Sequence, residues 1–320
     1  MKIVFFGTPQ FAVVTLEKIV AQPDLTVVGV ITQPDRKRGR GSQLWPSPVK
    51  AVAIDHQLAI QQPVSIKRSI ETIDWLRSLQ ADVFVVVAYG QILSQEILDI
   101  PKWGCINVHG SLLPAYRGAA PIQRCLVDGV TETGITTMLM DAGMDTGAML
   151  LTAKVAVSPF TNAQELGETL AERGAELLIQ TLQQLPNLTP QPQDNSQATY
   201  AAMIRKTDWL IDWQHSATTL HHQIRGFYPD CYFLLRDQPV KILQALPLLT
   251  PYWTGDIPLD LPAGQIGSIA WIIKGQGAVI QTGAGYLLLQ QVQLSGKKPQ
   301  SGADFVNGCR LVTGLMLSAV

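Results

Sequence analysis

The 320-residue sequence predicts an α/β domain built on a mostly parallel sheet, followed by a smaller antiparallel β-barrel domain. Strand-like and helix-like runs alternate through the first half. Strands of the VFVVVA kind are apolar on both faces, as in a sheet covered by helices on each side. Past residue 207 the pattern changes to short strands separated by glycine turns, which suits a small barrel.

The opening reads as strand, tight loop, helix: Lys2 to Phe6, then GTPQ, then a helix with Ala12, Leu16, Ile19 and Val20 on one face. A second strand runs from Leu25 to Thr32, a helix from about Ile70 to Leu79, a buried strand from Asp82 to Ala88, and a short strand from Cys105 to His109. Ile135–Met140 and Ala148–Val157 form two further strands joined by DAGMDTG, a polar glycine-bearing connection suited to an antiparallel hairpin, so the sheet is mixed at that end. Thr161 followed by Gln164 has capping-box spacing and opens a helix to about Leu185.

PNLTPQPQDNSQATY follows, without periodicity, and reads as a linker. The expected division is 1–189, a linker at 190–207, and 208–320. In the last part GQG and GAG separate runs of strand length, and Ser301 with Asp304 has the spacing of a helix start.

Composition limits the function classes. The chain is 47% hydrophobic and 15% charged, ordinary for a globular protein, and its net charge of −1 places any polyanion contact on a local cluster. Cys105, Cys125, Cys231 and Cys309 are far apart, with neither metal-ligand spacing nor the density of a disulfide scaffold. No window approaches the ~20 apolar residues of a membrane span, and GTPQ interrupts the amino-terminal apolar run too early for a signal sequence. The expectation is a cytoplasmic monomer without membrane or metal.

Asn107 and His109 stand two apart on a strand, so they emerge on one face at its carboxyl end, where open α/β sheets put their ligands. Gly110-Ser111-Leu112-Leu113-Pro114 cannot continue the strand and is suited to wall a flat, partly apolar ligand. An isolated Asn-x-His is more often a hydrogen-bonded strand end than a catalytic pair. Two carboxylates downstream, Asp141 and Asp145, share one loop, and spacing does not choose between them. Arg36-Lys37-Arg38-Gly39-Arg40-Gly41 is a basic run after the second strand; its bland reading is a solvated loop, yet loops at this edge surround the ligand site.

The run CINVHGSLLPAYRGAAPIQ, with GITTMLMDAGMDTGAML some twenty residues on, resembles the core signature of the methionyl-tRNA formyltransferase family. GTPQFA, QPDRKRGRG with PSPVK, AYGQIL, RGFYP and GKKPQSGADF extend the resemblance over nearly the whole chain. It implies a Rossmann-like formyltransferase fold with an OB-like tRNA-contacting second domain. It also implies 10-formyltetrahydrofolate as donor and initiator methionyl-tRNA as acceptor. By it the catalytic positions are Asn107, His109 and Asp145, the folate-contacting positions Ser111, Leu112, Leu113 and Pro114, and the tRNA-contacting positions Arg36, Lys37, Arg38 and Arg40. The chain departs from the family pattern at Gly110, commonly proline, and Ala142, commonly glutamate; neither is a catalytic position.

In physical terms an amine attacks a formyl carbon, and negative charge develops on the formyl oxygen. Asn107 and a protonated His109 would donate to that oxygen. Free imidazole titrates near ~6.5, so a neighbouring carboxylate is needed to keep it charged at neutral pH. Glycinamide ribonucleotide formyltransferases, sugar-amine formyltransferases and formyl-folate hydrolases share these three positions; the RKRGR loop and the carboxyl-terminal extension argue for tRNA as acceptor. A dinucleotide oxidoreductase is weakly supported, since GTP is not a GxGxxG fingerprint, and a non-catalytic RNA-binding protein leaves the three polar residues unexplained. His221-His222 lies in an expected helix without ligand-spaced partners and is expected to have a surface or packing role and not to bind metal, and Trp209 and Trp213 are expected to form a packed helix face.

Overall fold

The computed structural model describes residues 1–37, 44–255 and 264–317. They form two compact units. The first comprises Met1–Pro121, Glu132–Ala156 and Gly167–Ala201; the second comprises Ile122–Thr131, Val157–Leu166 and Ala202–Val320.

The first unit begins with β1 (Lys2–Gly7), α1 (Gln10–Val20), β2 (Thr26–Ile31), α2 (Pro48–Asp55), β3 (Ile60–Gln61), α3 (Ile70–Ser78), β4 (Val83–Val87) and β5 (Cys105–His109). After α4 (Pro121–Val127), which belongs to the second unit apart from Pro121, come β6 (Glu132–Leu139), β7 (Met149–Ala156) and α5 (Ala163–Gln184), of which the first unit takes the part from Gly167 on. The strands form one seven-stranded sheet in the order β7-β6-β5-β4-β1-β2-β3. β1 pairs in parallel with β2 and β4, and β5 in parallel with β4. β6 runs antiparallel to β5 and to β7, which is the mixed end that the DAGMDTG connection predicts.

The sheet is covered on both faces at its centre. Ile3, Val4, Phe5 and Phe6 of β1 are fully buried, and all of β4 is buried. β-branched and aromatic side chains fill both faces of these central strands, and water is excluded from the parallel ladder. β5 has the bounds predicted from sequence, and its end is fixed by pairing across the sheet: Asn107 lies opposite Met138 and His109 opposite Thr136.

The aperiodic stretch after α5 has structure of its own. Gln191 and Met149 exchange backbone hydrogen bonds, both 2.8 Å, and Tyr200–Ala201 pairs in parallel with Arg117–Gly118. Gly118, at φ 117°, is required there: a β-carbon would lie 2.8 Å from the Ala201 carbonyl oxygen.

The second unit contains α6 (Ala217–Gly226), β8 (Tyr232–Leu235), β9 (Gln238–Pro247), β10 (Ile269–Ile273), β11 (Gly277–Gln281), β12 (Tyr286–Leu294) and α7 (Gly302–Cys309). Its strands pair antiparallel in the order β8-β9-β12-β11-β10, as the glycine-turn pattern predicts for a small barrel domain. Ser301 caps α7 by accepting from the Asp304 amide at 3.0 Å, the predicted start. His221 lies buried on α6, its ring 4.7 Å from that of Tyr252. Trp213 is buried against Phe233, but it and Trp209 do not share a helix face: Trp209 ends a short 3-10 turn, Lys206–Trp209, and Trp213 lies beyond it. Four-residue spacing has no helical meaning where Leu210 takes an extended backbone.

The cap of α5 also differs from expectation. Asn162, not Thr161, is the N-cap: its Oδ1 accepts from the amides of Gln164 (2.9 Å) and Glu165 (3.1 Å), and Glu165 Oε2 accepts from the Asn162 amide at 3.1 Å. The reciprocal box sits one residue later than the Thr-x-x-Gln spacing suggested because Asn is a better cap than Thr. Asn162→Ala is expected to cost about 1 kcal/mol and to speed hydrogen exchange at the amides of Gln164 and Glu165. Thr161→Ala should cost under about 0.5 kcal/mol; a denaturant titration of both variants checks the assignment.

Candidate active site

β5 ends the parallel part of the sheet, and its carboxyl end brings Asn107 and His109 to one face. His109 is 6% exposed, and its Nε2 is 3.0 Å from the carbonyl oxygen of Tyr116. A carbonyl only accepts, so Nε2 carries a hydrogen and Nδ1 is the nitrogen left for other chemistry. Nδ1 faces Asp145, with Oδ2 at 3.7 Å. That is ion-pair range once the ring is protonated, and too long for a direct hydrogen bond.

The two candidate carboxylates separate cleanly. Asp141 Oδ1 accepts from the Gly143 amide at 3.0 Å and from Thr146 Oγ1 at 2.7 Å, so it shapes the loop. Asp145 is mostly buried and points the other way, accepting from the Gly118 amide at 2.8 Å through the oxygen that faces His109. Its backbone is left-handed, φ 54°, a conformation Asp tolerates better than most residues. Asn107 Oδ1 is buried and has no hydrogen-bond partner among the described residues. An unpaired buried acceptor beside a His-Asp pair suits a polar substrate that completes it.

Ser111-Leu112-Leu113-Pro114 turns immediately after β5, with a cis bond between Leu113 and Pro114. Ser111 is buried and donates to the Ala115 carbonyl. Leu113 is only 5% exposed and belongs to the interior, whereas Leu112 and Pro114 are part-exposed. Leu112 reaches β6 at Gly134, where a β-carbon would lie 2.5 Å from its Cδ2 and 2.2 Å from the Ala153 carbonyl oxygen. Thr136, which motif reading passed over, pins this turn: fully buried, it donates to the Ser111 carbonyl at 2.8 Å and accepts from the Leu113 amide at 3.1 Å. The signal for it was a hydroxyl at a position of an apolar strand that faces the core.

Arg36–Lys37 pairs antiparallel with Leu44–Trp45, and Arg36 is exposed; Arg38 and Arg40 lie outside the described residues. The foot of this basic segment is fixed. Asp35 accepts from Gln62 Nε2 at 2.8 Å and Lys50 Nζ at 2.6 Å, and these two donors hold its carboxyl below the usual carboxylate range. Ser47 caps α2 by accepting from the Lys50 amide at 3.1 Å, which gives the PSPVK motif a physical role.

Residues 1–182 match the Formyl transferase family and residues 203–310 match the Formyl transferase C-terminal domain. A methionyl-tRNA formyltransferase of Microcystis aeruginosa is 54% identical, covering 98% of each chain. Another of Trichormus variabilis is 55% identical, covering 99% of each. The fold is similar to that of a sugar 3N-formyl transferase crystallised with dTDP and 5-N-formyl-THF (TM-score 0.63, 18% identity, 93% of this chain and 99% of that one). It is similar also to the N-formyltransferase from Helicobacter canadensis in complex with folinic acid and dTDP-3-aminofucose (TM-score 0.64, 19% identity, 90% and 98%). With end-to-end identity above one half to such relatives and both formyl transferase domains in order, the chain belongs to the methionyl-tRNA formyltransferase family.

Proposed function

We propose that the chain transfers the formyl group of 10-formyltetrahydrofolate to the α-amino group of initiator methionyl-tRNA. The observation that carries this reading is the His109–Asp145 pair at the end of β5, on the strand face that also carries Asn107, in a chain so similar to methionyl-tRNA formyltransferases.

Asn107 donates through its amide nitrogen to the formyl oxygen as charge develops there, and its unpaired Oδ1 is free to accept from the incoming amine. His109, protonated on Nδ1, adds a charged donor, while Tyr116 holds the ring through Nε2. Asp145 keeps that charge company and takes the proton the amine must lose, directly or through water, as the folate N10 leaves and is protonated. Leu112 and Pro114 line the folate, with Ser111 and Leu113 setting the turn. Arg36, Lys37, Arg38 and Arg40 meet acceptor-stem phosphates. Residues 1–189 then carry catalysis and 208–320 further tRNA contact, joined through 190–207, in a cytoplasmic monomer. A second acceptor class, aminosugar nucleotides, is favoured only by structural likeness at under 20% identity.

Mass spectrometry after incubation with 10-formyltetrahydrofolate and either methionyl-tRNA or a dTDP-aminosugar decides between acceptors; formylation of the sugar alone would overturn the reading. Asn107→Ala, His109→Ala and Asp145→Ala are each expected to lower kcat by about 10²–10³ with an unchanged circular dichroism spectrum. Wild-type turnover by any one removes that residue from the mechanism. Neutralising the four basic residues should raise the tRNA KM and flatten the slope of log(kcat/KM) against log[salt] by about 2–3; an unchanged slope marks the loop as merely solvated. Thr136→Val leaves the Ser111 carbonyl and the Leu113 amide bare, at about 1–3 kcal/mol for each. Its expected signature is a lower denaturation midpoint together with a raised KM for the folate.

A further inference from the structure

The groups assigned so far leave unexplained how the loop bearing Asp145 is held. The loop has no ladder of its own at residue 145, and the carboxylate it carries must keep one direction to face His109. The side chain that grips it comes from the aperiodic stretch after α5. Gln193 Nε2 donates to the carbonyl oxygen of Asp145 at 2.8 Å and to that of Gly147 at 2.7 Å. Gln193 Oε1 accepts from Arg117 Nε at 2.9 Å.

The orientation of this amide is determined by its neighbours. Turned over, it would set an NH2 group against the guanidinium and an oxygen against two carbonyls, so only one arrangement satisfies all four groups. Arg117 is 2% exposed and donates also to Asn195 Oδ1 at 2.9 Å, which fixes the guanidinium from a second side. A cationic donor on Oε1 polarises the amide and strengthens the two bonds made by Nε2. Gln193 itself is placed by backbone pairing on both flanks, Gln191 with Met149 and Tyr200–Ala201 with Arg117–Gly118. The same Gly118 amide donates to the Asp145 carboxylate, so one chain of bonds holds both the backbone and the side chain of Asp145.

We propose that Gln193 is a positioning residue for formyl transfer, acting with Arg117 to fix the backbone of Asp145 so that its carboxylate faces His109. The proposal rests on the catalytic reading of Asp145 given above. Gln193 touches no reacting atom, so its removal should slow the chemical step while leaving substrate binding intact.

The test uses the full chain, 10-formyltetrahydrofolate and methionyl-tRNA, with Gln193→Leu and Gln193→Glu. Gln193→Glu keeps the length of the side chain and an acceptor for Arg117, but replaces both donors with a carboxylate facing two carbonyl oxygens; it therefore separates the grip on the loop from general support of the fold. Both variants are expected to lose about 10–100-fold in kcat, with both KM values within about twofold of wild type. In an Asp145→Ala background, Gln193→Glu should change the residual single-turnover rate by less than about twofold, because the group it aims is gone. The same fold-loss in both backgrounds, or a wild-type kcat for Gln193→Glu beside an inactive Asp145→Ala, overturns the positioning role alone. Wild-type turnover by Asp145→Ala overturns the catalytic reading of Asp145 and the positioning role with it.

Discussion

A carboxylate on an irregular loop has to be kept facing a histidine on a rigid strand, and much of the first unit is arranged around that requirement. His109 needs no special provision, since β5 is paired on both sides and the Tyr116 carbonyl fixes its ring. Asp145 has no such ladder. Its side chain is tied to the Gly118 amide and its backbone to Gln193, and both ties return to the segment that turns out of β5. Strand, turn and loop are thus closed into a ring of hydrogen bonds beside the His109–Asp145 pair, at the end of the strand that also carries Asn107. The distance of 3.7 Å between His109 and Asp145 is set by this ring and not by a direct bond between the two.

Much of this was legible in the sequence, and the parts that were not share a cause. Strand periodicity located β5 to the residue, and two-residue spacing put Asn107 and His109 on one face, because both depend on local geometry. Spacing could not choose between Asp141 and Asp145, and only the family resemblance favoured Asp145; the fold adds that Asp141 bonds to Gly143 and Thr146 while Asp145 faces His109. Gln193 reads as one more polar residue of a connecting run, since its partners lie 46, 48 and 76 positions away. Thr136 was hidden for a similar reason: a buried hydroxyl in a strand has many possible uses, and only the fold shows that its partners are in the Ser111–Pro114 turn. The misplaced α5 cap and the helical reading of Trp209 and Trp213 are smaller errors of one kind, in which a spacing rule was satisfied by residues that the backbone does not use that way.

Formyltransferases under 20% identical share the fold over nine-tenths of this chain, so the architecture persists where most of the sequence does not. The Arg36–Lys37 segment pairs with Leu44–Trp45, and its foot is secured at Asp35 by Lys50 and Gln62.

Gln193 grips the loop through main-chain carbonyls of Asp145 and Gly147 and not through any side chain. Substitutions along the loop that preserve its backbone path therefore leave the grip unchanged. Ala142, where the family commonly carries a charge, lies in this tolerant stretch, on the exposed side of the loop. A carboxylate whose loop is held by its backbone leaves the neighbouring surface free to drift in sequence without turning that carboxylate away from His109.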